Sequence, residues 1–226
     1  IVVDGQLSLI PTNYKNLVVF CNSIGRNGRG YAQGWCGDRG MASSKNGLDY
    51  YSHLKTGFRQ KESDAVVTLK NVWQWENDFS YSYTNYDDVL TDNVDCIIFR
   101  AGENVKDEAS FTVNLDSFIK HCITMCPNAE ILITSMVWSN ENKDASLVEV
   151  ATSNNCLYAD VAANTLEYKE KVGNYLYGDY TNDEGLTWDT TRQVLYKITG
   201  NGIATHTNDV GMLLIANNIL KALEYT

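Results

Sequence analysis

Residues 17–26 read Leu17-Val18-Val19-Phe20-Cys21-Asn22-Ser23-Ile24-Gly25-Arg26, an apolar run that stops at an Asn-Ser pair and opens into a glycine-rich loop. Leu17 to Cys21 is apolar at every position, the pattern of a strand buried on both faces of a parallel sheet. Ligands of open α/β sheets bind outside the carboxyl ends of such strands, so Ser23 stands where chemistry is usually done. The plainer reading is that Ser23 only forms a turn, the commoner fate of a serine after a strand.

Outward from this stretch, further strands are expected at residues 65–69, 93–100 (core Cys96 to Phe99), 131–137 and 157–161. Helical spacing appears between them. Residues 41–58 carry Leu48, Tyr51 and Leu54, with Gly57 as a stop; residues 110–126 carry Phe111, Leu115, Phe118, Ile119 and Cys122 on one face, closed by Pro127. Shorter helices are expected at 145–152 and 209–223. The alternation of strands and helices predicts an α/β protein with a parallel sheet. Residues 1–15 read as a lead-in on the edge of a single domain spanning 16–226. The loop from Gly25 to Gly40, with Tyr31 and Trp35, is long enough to be functional. Residues 166–200 are polar and tyrosine-rich and take no clear assignment.

Composition narrows the function. With 226 residues, 44% of them hydrophobic, and two prolines, the chain can bury a full core. Its net charge of −10 argues against nucleic acid and anionic membrane surfaces, where binding rests on Lys and Arg meeting phosphate. No apolar stretch approaches the roughly 18 residues of a membrane span. The start, IVVDGQ, is not a signal peptide, and the absent initiator Met suggests a processed secreted chain or an excised domain, which leaves the compartment open. Cys21, Cys36, Cys96, Cys122, Cys126 and Cys156 form no CxxC pair and read as apolar core thiols rather than a disulfide framework. Without a Rossmann fingerprint, P-loop or metal cluster, no cofactor and no metal are expected. The oligomeric state is not legible.

Three strand-end motifs converge on one chemistry. Asn22-Ser23 follows the first strand, Gly102-Glu103-Asn104 follows the third, and His206 precedes the last helix in His206-Thr207-Asn208-Asp209. Singly, each is an ordinary turn or helix cap. Together, in this order, they resemble the SGNH hydrolase superfamily, the GDSL-type esterases. The loop Gly34 to Ala42, followed by Asp49-Tyr50, further resembles a branch whose first block reads Asn-Ser-Ile-Thr. The resemblance implies a flavodoxin-like three-layer α/β/α sandwich with a five-stranded parallel sheet. It implies a serine esterase in which Ser23 attacks, His206 serves as base and then acid, and the oxyanion is met by Ser23, Gly102 and Asn104. An unperturbed imidazole, with a pKa near 6.5, suits that role.

The chain departs from the family at the acid. Three residues before His206, where the family has Asp, stands Ile203. A Ser23–His206 dyad is therefore expected, with Asn201, Asp38 or Glu76 as the possible acid or orienting group. The expected substrate is a small-molecule or glycan ester, O-acetyl sugars foremost, with Trp35 and Trp138 stacking on sugar rings. The alternative is a weak or inactive carbohydrate-binding or structural domain that kept the fold.

Overall fold

The computed structural model describes residues 2–3, 6–7, 13–28, 35, 37–43, 45–161 and 206–225. Asn201, Ile203, Tyr31, Cys36 and the unassigned segment 166–200 lie outside the described residues. Five strands form one parallel sheet: β1 (Asn16–Cys21), β2 (Val66–Asn71), β3 (Cys96–Arg100), β4 (Glu130–Thr134) and β5 (Leu157–Ala159). Their order is β2-β1-β3-β4-β5. Near the N-terminus Val2–Val3 pairs antiparallel with Gln6–Leu7.

Strand order and handedness together fix the layers. From β1 the chain steps one way to β2, then β3, β4 and β5 step the other way. Right-handed crossovers must then put the connecting helices on opposite faces. Helix α1 (Tyr50–Lys61) lies on one face with α5 (Asp209–Ala222), while α3 (Phe111–Met125) and α4 (Glu141–Ser153) cover the other. A short helix, α2 (Trp73–Asn77), follows β2. Alternation along β1 supplies both cores: Leu17, Val19 and Cys21 face Leu54, Phe58 and Ile215, whereas Val18 and Phe20 face Phe111 and Phe118. The result is the three-layer α/β/α sandwich with a five-stranded parallel sheet.

The differences from the sequence reading are local. Helix α1 begins at Tyr50 rather than near Met41, because the Asp49 carboxylate caps it by accepting from the Ser52 N–H at 2.8 Å. It also runs through Gly57, which is not a stop. A Cβ there would lie 2.5 Å from Leu220 Cδ1, so the glycine lets α5 approach α1 closely. Helix α4 starts at Glu141, four residues earlier than its apolar pattern, behind an Asn140 cap that accepts from the Lys143 N–H. Strand β4 ends at Thr134, which frees Ser135 to Trp138 for the turn above the sheet. Cys21, Cys96, Cys122 and Cys126 are buried, Cys156 is half-buried, and all five are free thiols. Among the described residues no helix is long and apolar enough to cross a membrane.

Candidate active site

The chain direction on the sheet reverses at β1, whose C-terminal end lies between those of β2 and β3, with Cys21 opposite both Asn71 and Arg100. Such a switch point opens a crevice. Into it β1 delivers a tight turn: the Gly25 and Arg26 N–H groups donate to the Asn22 carbonyl at 3.0 and 3.1 Å, and the Asn22 side chain accepts from the Ile24 N–H at 3.2 Å. Asn22 and Ile24 are buried on either side, so Ser23 is the one residue of the three turned partly outward. Its carbonyl is tied to the Met41 N–H at 2.8 Å.

Ser23 Oγ lies 2.8 Å from His206 Nε2. The histidine comes from the segment leading into α5, which Asn208 caps by accepting from the Gly211 N–H at 3.0 Å. His206 is 7% exposed, and the Trp138 ring meets its imidazole edge to face at a centroid distance of 5.2 Å. Residues 183 positions apart are thus brought into hydrogen-bond contact.

Beside them, after β3, Gly102 turns the chain at φ +137°, a conformation open to glycine and strained for other residues. This brings Glu103 back under the sheet end, where it pairs with Arg100. Glu103 also accepts from the Val137 N–H at 2.9 Å and from Asn22 Nδ2 at 2.6 Å, while Arg100 Nη1 donates to Asn22 Oδ1 at 3.2 Å. A second buried carboxylate, Glu76 of α2, accepts from the Gly102 N–H at 2.6 Å, from Asn22 Nδ2 at 3.1 Å and from Asn104 Nδ2 at 2.8 Å. Ser23 therefore sits on a buried polar network rather than on apolar core.

The two carboxyl groups are pushed in opposite directions. Burial would raise Glu103, but the Arg100 guanidinium and the donors from Val137 and Asn22 more than offset it and hold the group below its ordinary 4.5. For Glu76 burial comes first, then repulsion by Glu103; the N–H donors only partly compensate, and the pKa is raised. The consequences for stability differ in sign. Glu103 contributes stability above the ordinary carboxylate range that is lost as pH falls through its depressed value. Glu76 contributes stability at low pH that is lost as pH rises through its raised one. In a carbon-detected NMR titration the Glu103 carboxyl is expected to titrate below 4.5 and Glu76 above it. Both groups titrating together would contradict this electrostatic picture.

The remaining expected site residues make the following contacts. Asp38 forms a two-pronged pair with Arg26 at the surface, both contacts 2.8 Å. The hydrogen bonds of Glu76 go to Asn22, Gly102 and Asn104, so it does not orient the imidazole. Trp35, expected to stack on sugar, is fully buried; its indole N–H donates to the Asn27 carbonyl at 3.0 Å and Arg39 lies over its ring, so it braces the loop. Sequence reading missed the Arg100–Glu103 pair. The signal was an arginine ending an otherwise apolar strand, with a glutamate three residues on.

No family model matches the chain, and no curated protein does. Solved structures do. A variant of Axe2, an acetyl xylan esterase from Geobacillus stearothermophilus, is 12% identical over 95% of this chain and 97% of that one, with a TM-score of 0.54. The acetyl xylan esterase AlAXEase is 18% identical over 91% of this chain and 98% of that one, with a TM-score of 0.55. Phospholipase A1 from Streptomyces albidoflavus is 12% identical over 93% of this chain and 98% of that one, with a TM-score of 0.50. These neighbours share the three-layer α/β/α fold that this chain adopts.

Proposed function

We propose that this protein is a serine ester hydrolase that removes short acyl groups, O-acetyl esters of carbohydrate foremost. The observation that carries the reading is the 2.8 Å contact between Ser23 Oγ and His206 Nε2 at the switch point of the sheet. Ser23 Oγ attacks the ester carbonyl and passes its proton to Nε2. The oxyanion is met by the Ser23 N–H and the Asn104 side-chain amide. His206 then returns the proton to the departing sugar oxygen, leaving Ser23 acylated. Water attacks this acyl-enzyme with His206 again as base, and acetate leaves with Ser23 restored. Gly102, expected to donate its N–H to the oxyanion, directs it to Glu76 instead.

A second serine-hydrolase reading, a lipid esterase, is supported by the phospholipase A1 neighbour. Preference for sugar rests on the acetyl xylan esterase neighbours and on the aromatic rim. That rim is Trp138, whose ring lies against His206. The Asn-Ser first block and the Gly34 to Ala42 loop support placement in the corresponding esterase branch. Acetate release from acetylated xylan, set beside fatty-acid release from phosphatidylcholine vesicles, separates the two. Ser23-dependent acetate release is expected from the glycan and none from the vesicles; the reverse would contradict the carbohydrate reading. Glycan binding without turnover, unaffected by Ser23→Ala, would favour a binding module.

A further inference from the structure

We propose that Glu76 is a positioning residue that fixes which end of the Asn104 amide faces the reacting carbonyl; this rests on the ester-hydrolase reading above. A side-chain amide is two-ended, and a half-turn about its last torsion exchanges an N–H donor for a carbonyl acceptor. Only one end can serve an oxyanion. What selects it here is the partner on the other side. Glu76 is 1% exposed, and every hydrogen bond it makes is to an N–H. One oxygen takes Gly102 N, Asn22 Nδ2 and, at 3.3 Å, Asn104 N; the other takes Asn104 Nδ2 at 2.8 Å. A carboxylate accepts at both oxygens, so it tolerates Asn104 in one orientation only, nitrogen inward. One N–H of that nitrogen is held by Glu76, and the second is left to donate to the oxyanion.

The same carboxylate holds Asn22, whose side chain caps the Ser23 turn. Nucleophile and oxyanion donor are thus referenced to one buried point, although they come from different strands. Preorganised donors of this kind need no rearrangement at the moment of reaction. Glu76 reaches this position because β2 runs directly into α2, which places the residue beneath the ends of β1 and β3.

Glu76→Gln keeps the shape and replaces one acceptor with a donor. With the glutamine oxygen on Gly102 N, its nitrogen confronts Asn104 Nδ2, and Asn104 must turn its oxygen inward and withdraw its donor. On p-nitrophenyl acetate, kcat is expected to fall by roughly 100-fold, as for loss of an oxyanion donor, with KM changed by less than about threefold. Asn104→Ala should cost about as much. The double variant Glu76→Gln/Asn104→Ala should be no worse than Asn104→Ala alone, since both act through one amide. Losses that multiply, or a Glu76→Gln enzyme of ordinary kcat, would overturn the inference. Should Glu76→Gln not fold, the unmutated protein supplies the test by NMR. The two side-chain protons of Asn104, identified by their absence in Asn104→Ala, should be widely separated, with one protected from exchange; a degenerate, fast-exchanging pair would overturn it. An unmutated protein without Ser23-dependent turnover refutes the hydrolase reading itself, before any Glu76 variant is compared.

Discussion

Ser23→Ala is expected to lower ester turnover on the order of 10⁴- to 10⁶-fold while leaving the fold and substrate binding intact. The magnitude follows from the role. Without Oγ no acyl-enzyme forms, and the remaining donors and bound water give only the residual rate of an unacylated site. The change removes little else. Ser23 is partly exposed, its carbonyl bond to Met41 N–H belongs to the backbone, and the turn is capped by Asn22. Thermal unfolding should therefore stay close to that of the unmutated protein. A variant retaining more than about a tenth of the activity would show that another group is the nucleophile.

Arg100→Met is expected to be the most damaging single change to stability, costing about 3–5 kcal/mol. That is a large share of the roughly 5–15 kcal/mol that holds a typical domain together. Arg100 is fully buried and its partner Glu103 nearly so, and the methionine leaves Glu103 with the Val137 and Asn22 donors but no cation. Burial would then dominate, and the Glu103 pKa would move from below its ordinary 4.5 to above it. The sign of the pH dependence inverts with it. In the unmutated protein, Glu103 adds stability above the ordinary carboxylate range; in Arg100→Met, the variant should gain stability as pH falls and Glu103 takes up a proton. Urea midpoints at several pH values test this, and Arg100→Met/Glu103→Gln should recover most of the loss. Equal midpoints for Arg100→Met and the unmutated protein would mean that the pair contributes nothing to folding.

What could be read from the chain follows the range of the interaction that encodes it. Leu17 to Cys21 announces a buried strand because both its faces are apolar, and the structure extends it only to Asn16. Helix α3 was legible to within a residue at each end, since its apolar stripe is local. Gly57 misled because a glycine that ends a helix and one that admits a neighbouring helix look alike until Leu220, far along the chain, is in place. The beginning of α1 was hidden for a related reason. Leu48 continues the helical spacing outward, and only the Asp49 cap shows that it lies outside.

Ser23 and His206 stand at strand and helix ends and take their roles from the resemblance to the SGNH esterases; the structure brings them within 2.8 Å. The network beneath them was not readable. Glu76 was singled out for its charge, but its partners lie 26 to 54 residues away, and no periodicity reports a hydrogen bond of that span. Trp35 was misplaced on the same ground: an aromatic in a polar loop reads as exposed until Arg39 and Asn27 close around it.

The most direct measurement of Ser23 as an activated nucleophile is covalent capture by a fluorophosphonate, with the adduct located by peptide mass spectrometry. A single adduct on Ser23 is predicted, and it should be abolished in His206→Ala. An adduct on another residue, or none under conditions that label a known serine esterase, would contradict it.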